Sequence, residues 1–80
     1  MIIVDVQIPA VPARFDFNVD ENRPIRNIIG EMRQVVARKL HEEEKEIPLE
    51  LCSCSQERFL PGDKTLAECG IRDGERLILV

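Results

Sequence analysis

Eighty residues, 44% hydrophobic and 32% charged, describe a single globular domain spanning 1–80 rather than a disordered chain. A chain of this length buries only about 60% of its unfolded surface, so its core needs nearly every apolar residue and a large enzymatic cleft is not expected. The net charge of -4, with Lys and Arg scattered among acids, argues against sequence-independent nucleic-acid binding. No apolar run approaches the roughly 20 residues of a spanning helix, and the opening Met1-Ile2-Ile3-Val4-Asp5-Val6 lacks the basic stretch of a secretory leader. The expected location is the cytoplasm, without direct membrane insertion. Three cysteines are an odd number and a poor basis for a disulfide framework, so reduced thiols are expected.

Ile2, Val4, Val6 and Ile8 alternate with Ile3, Asp5 and Gln7, the period of a half-buried strand in which Ile3 is the apolar exception. Pro9-Ala10-Val11-Pro12-Ala13 interrupts the ladder as a hairpin loop, because each proline removes a donor and fixes φ. Phe15, Phe17 and Val19, alternating with Asp16 and Asn18, predict the second strand. From Pro24 the period becomes helical: Ile25, Ile28, Ile29, Met32, Val35, Val36 and Leu40 fall in a stripe of about 140°. Pro24 suits the first helical position, with Asp20, Glu21 and Asn22 as acceptors near the positive end. Gly30 lies mid-helix on the polar flank, where glycine costs roughly 1 kcal/mol against alanine.

His41 to Glu46 is a charge run expected to contain the fraying helix end, and Ile47-Pro48 forbids continuation. Leu49 and Leu51 alternate with Glu50, Cys52 and Cys54 as a third strand with the leucines inward. Gln56 to Leu60 reads as a turn and a very short fourth strand, and Arg76 to Val80 as the fifth. Between them, Pro61-Gly62 leads to an apolar turn formed by Leu66, Cys69 and Ile71. The order β-β-α-β-β-β, with one helix across one face of a mixed sheet, is the α+β ubiquitin-like β-grasp. Parallel pairing of the first and last strands is expected, with the crossover supplied by the helix and the later strands and turns. Leu77→Asp or Phe17→Asp is expected to unfold the domain.

In element order and length along the whole chain, and residue by residue in Leu66-Ala67-Glu68-Cys69-Gly70-Ile71-Arg72-Asp73-Gly74-Glu75-Arg76-Leu77, the sequence resembles the bacterial ubiquitin-like YukD family, encoded with ESX-type (type VII) secretion systems. The shared pattern is leucine, small residue, acid, Cys-Gly-Ile, then polar-Gly-acid before the last strand. The resemblance implies a non-enzymatic accessory component acting by protein contact. In some systems a similar domain is fused to a membrane channel component; the end at Val80 points instead to a free-standing protein, with an excised domain as the alternative. No glycine tail follows Val80, so conjugation or sulfur carriage is not expected. Cys52-Ser53-Cys54 and the acidic Glu42 to Glu46 run depart from the family pattern.

Cys52, Cys54, Cys69 and His41 could supply four zinc ligands in number, but structural zinc sites space cysteines as C-x2-4-C on turns, whereas this C-x-C falls in a strand. No metal or cofactor is expected, and Cys69 reads as a small core hydrophobe. A metal- or redox-responsive protein acting through Cys52 and Cys54 is the alternative. His41, expected at the far end of the helix, leaves a nucleophilic cysteine without a base and an orienting group. With Leu49 and Leu51 facing the helix, Cys52 and Cys54 point to the uncovered sheet face. By the same parity Leu77 and Leu79 go inward while Ile78 and Val80 go outward. Ubiquitin-like folds are similar in using this face and its adjacent loop for partners. The expected protein-binding residues are therefore Val11, Cys52, Cys54, Arg76, Ile78 and Val80, with Arg76 or Arg58 at the rim and no small-molecule substrate.

Overall fold

The alternating residues Ile2–Ile8 form strand β1, and Ala13–Val19 forms β2 antiparallel to it, with Val4 opposite Phe17 and Val6 opposite Phe15. A computed structural model describes residues 1–9, 13–41 and 49–80. The helical stripe becomes α1, Ile25–Lys39, followed by β3 (Leu51–Ser53), β4 (Arg58–Phe59) and β5 (Arg76–Leu79). The strands make one mixed sheet in the order β2-β1-β5-β3-β4. Its centre is the parallel pair β1 and β5, in which Asp5 stands opposite Arg76 and Gln7 opposite Ile78. A parallel pair needs a long crossover, which α1 and the segments after it provide. The result is the expected ubiquitin-like β-grasp.

Val4, Val6, Leu51, Leu77 and Leu79 on one sheet face share a single apolar cluster with Ile25, Ile28, Ile29 and Met32 of α1. Leu60, Leu66, Cys69 and Ile71 close its end. Phe15, Phe17, Val36 and Leu49 are only partly buried against the cluster, so Phe17 does not carry the weight expected of it. It sits on the outermost strand, β2, at the margin of the core.

The helix start differs from expectation. Pro24 is the N-cap rather than the first helical residue; its ψ of 137° is extended, and it bridges to Thr65. The first free N–H groups find backbone partners across the fold: Ile25 donates to the Lys64 carbonyl at 2.8 Å and Arg26 to the Gly62 carbonyl at 3.1 Å. Asp20 and Glu21 are engaged elsewhere. Asp20 Oδ1 accepts from the Asn22 N–H at 2.9 Å, and Glu21 Oε1 accepts from the Met1 amino group at 3.0 Å. The hydrogen bond to Glu21, and the attraction of its charge, raise the pKa of that amine. At the other end His41 takes a left-handed φ of 55° and donates to the Arg38 carbonyl, closing the helix. Residues 10–12 and 42–48, with the hairpin loop's Val11 and the Glu42 to Glu46 run, lie outside the described residues.

Strand β3 begins at Leu51 rather than Leu49, and Cys54 falls in the turn toward β4 rather than in the strand. The reason is visible in Ser53. Its fully buried side chain accepts the Gln56 N–H at 3.2 Å and lies 3.3 Å from Ser55 Oγ, bending the chain into the turn. Gln56 Nε2 in turn donates to the Cys69 carbonyl at 2.7 Å.

The segment Thr65 to Ile71 is one helical turn capped at both ends. Thr65 Oγ1 accepts the Glu68 N–H and Glu68 Oε1 accepts the Thr65 N–H, each at 3.0 Å, a reciprocal capping box. At its end Gly70 takes φ 75° while its N–H reaches the Ala67 carbonyl and that of Ile71 reaches Leu66, the Schellman pattern. The leucine, acid and Gly-Ile of the family pattern thus each have a structural task.

Candidate functional site

The side of the sheet away from α1 is built by residues whose neighbours in sequence are buried. Leu51 and Ser53 turn inward, so Cys52 turns outward; Leu77 and Leu79 turn inward, so Ile78 turns outward. Register then sets these side chains in line. Cys52 lies opposite Ile78 on β5 and opposite Phe59 on β4, while Ile78 lies opposite Gln7 on β1. The row Gln7, Ile78, Cys52, Phe59 crosses four strands on one face. Val80, 47% exposed, follows Ile78 by one pleat of the same side and exchanges both backbone hydrogen bonds with Glu50.

Phe59 is the residue that sequence reasoning missed. At 56% exposure it is the largest apolar side chain of the face. The signal was present: Leu60 is buried, and the preceding residue of an extended segment must point the other way. A strand of two residues is too short to display that alternation as a pattern.

The neighbouring row is charged. Asp5 Oδ2 receives Arg76 Nε at 3.6 Å and Arg14 Nη1 at 3.7 Å, with Asp16 opposite Asp5 on β2. Arg76 therefore borders the apolar row while held by Asp5. Cys54 is exposed in the β3–β4 turn, its N–H donating to the Arg76 carbonyl at 3.3 Å. Arg58 does not join this face. It lies opposite the inward Ser53, and its Nε donates to Gln56 Oε1 at 2.8 Å. Val11 lies outside the described residues.

Of the six expected residues the sheet thus brings Cys52, Ile78 and Val80 together, with Arg76 and Cys54 beside them. Cys69 is buried on the opposite side of the sheet, and His41 stands exposed past the end of α1. Among the described residues no group of three His, Cys, Asp or Glu could hold a metal ion. No helix among them is long and apolar enough to cross a membrane.

Over residues 1–79 the chain matches the family described as "WXG100 protein secretion system (Wss), protein YukD". A comparison with curated proteins found no match. Among solved structures it is similar to the EccD5 ubiquitin-like domain from Mycobacterium xenopi, with 24% identity and a TM-score of 0.72, over 99% of this chain and 91% of that one. It is similar also to a chain of the MycP5-free ESX-5 inner membrane complex, with 23% identity and a TM-score of 0.76, over 99% of this chain. There it spans only 20% of the matched protein's length. A chain of the toluene 4 monooxygenase HD complex reaches a TM-score of 0.81 at 16% identity, over 99% of this chain and 95% of that one. At these identities the likeness is one of fold.

Proposed function

The chain belongs to the YukD family, and on that premise we propose that it is a non-enzymatic, cytoplasmic accessory component of an ESX-type (type VII) secretion system that docks a protein partner on the outer face of its sheet. The observation that carries the reading is the unbroken apolar row of Ile78, Cys52 and Phe59, extended by Val80, on a face with no covering helix among the described residues. An aromatic side chain more than half exposed, beside aliphatic neighbours and a charged rim, has the composition of a docking centre. Arg76, 3.6 Å from Asp5, sets a charge at the rim of the row for a partner with complementary polar groups. The supporting likeness is to domains of ESX assemblies.

A second reading has an observation of its own. The chain matches one fifth of a much longer protein in an inner membrane complex, which favours a ubiquitin-like domain of a larger membrane component as the alternative. The same face would then dock within that assembly. Reading the gene past codon 80 separates the two.

Ile78→Lys tests the face itself. Co-purification with the cognate secretion membrane complex is expected to be lost while the far-ultraviolet circular dichroism stays unchanged. Full co-purification by a folded Ile78→Lys protein would remove this face from the interaction.

A further inference from the structure

The sheet has two edges of unequal character. The β4 edge is two residues long, whereas β2 offers seven residues, Ala13–Val19, with no strand beside its outer side among the described residues. Such an edge is a template for another strand. Which of its backbone groups are free follows from β1. The Ile3 carbonyl and the Asp5 N–H bond to Gly74 and Glu75 on the β5 side, so Val4 and Val6 direct theirs to Phe17 and Phe15 of β2. The N–H and C=O groups of Arg14, Asp16 and Asn18 therefore face outward.

We propose that this edge pairs antiparallel with the β2 edge of a second copy of the chain, in the register that centres Phe15 on its own counterpart. Arg14 of each copy then lies opposite Asp16 of the other, and these are the residues whose backbone groups are free to bond. Two opposite-charge pairs form on the outer face, symmetrically about the two-fold axis. On the helix face the two half-buried Phe15 rings meet in a non-hydrogen-bonded pair, where side chains approach most closely. Centring on Asp16 would instead set like charges opposite each other, and centring on Phe17 would pair Asp16 with the neutral Asn18 and carry Arg14 to Asp20, past the end of β2. Within Ala13–Val19, only the register centred on Phe15 sets opposite charges against each other. Lys39, whose Nζ stands 5.8 Å from the Phe15 ring centroid, brings two ammonium groups toward the axis, but both are exposed and screened by salt. A contact of one strand edge per copy belongs to the small, transient class, so a dissociation constant on the order of 100 μM is expected. The pairing leaves the row of Ile78, Cys52 and Phe59 open and does not depend on its role.

Sedimentation velocity from about 10 μM to about 1 mM tests the register through charge exchange. The unaltered chain should show a monomer–dimer equilibrium. Asp16→Arg, which folds readily because it places a cation opposite Asp5, should raise the dissociation constant roughly tenfold or more by setting Arg14 against arginine twice. Arg14→Asp should do the same, and an equimolar mixture of the two variants should associate again, since every facing pair becomes opposite in charge. Should Arg14→Asp misfold beside Asp5, the double exchange Arg14→Asp/Asp16→Arg decides, and it should regain the unaltered dimer. The proposal is overturned by an unaltered chain that stays monomeric at about 1 mM, by a dimer indifferent to Asp16→Arg, or by failure of the double exchange to regain it.

Discussion

Phe59 and Ser53 show how single residues decide both the site and its framing. The serine is polar yet fully buried, and its hydroxyl ends β3 by accepting the Gln56 N–H. Nothing in a hydrophobic pattern marks it, because its burial depends on the turn that it helps to form. Two other positions carry conformational cost without visible return. A Cβ at Gly30 would meet nothing within 4 Å, so Gly30→Ala should stabilise the helix by about 1 kcal/mol. His41 holds φ 55° at the helix end, where glycine is favoured, and His41→Gly should gain a similar amount. In calorimetry each is expected to raise Tm by roughly 4–8 °C. An unchanged or lowered Tm for Gly30→Ala would contradict the reading of that glycine as a pure cost to the helix.

Among the elements, the turn from Thr65 to Ile71 is the most tightly specified. Its capping box and its left-handed Gly70 give Glu68 and Gly70 a structural reason to stand at this spacing before the last strand. Thr65→Ala should lower the unfolding free energy by about 1 kcal/mol, read from a shifted urea midpoint at unchanged slope. Gly70→Ala should cost at least as much, because φ 75° is strained for any side chain. A midpoint unmoved by both would separate this turn from the stability of the fold. The strand β1 and the helix were legible in the sequence because their periods of two and of 3.6 run long enough to read, and β5 because it is an apolar run that follows a glycine turn. The cap of α1 was not. Its partners are the carbonyls of Gly62 and Lys64, far along the chain, and nearby acids gave a false lead.

For the whole molecule, one parallel pair organises everything: β5 joins β1 to β3, closes the core with Leu77 and Leu79, and turns Ile78 outward. Leu77, fully buried at the centre, and Phe17, half-buried at the edge, should therefore respond differently. Leu77→Asp is expected to abolish the cooperative unfolding transition, while Phe17→Asp should retain it at a lower midpoint. The candidate site was readable wherever core leucines flank a residue and fix its parity, as Leu77 and Leu79 do for Ile78 and Leu51 does for Cys52. It was unreadable at Phe59, whose strand has two residues, and Val11 lies outside the described residues.

The most direct test is the dissociation constant of the Phe59→Ala protein, relative to the unaltered chain, for the purified membrane complex of the cognate secretion system. Loss of an aromatic centre of a docking face predicts a weakening of about 2 kcal/mol, roughly 30-fold, with the fold intact by circular dichroism. Equal affinity of the two proteins would contradict docking through the outer face.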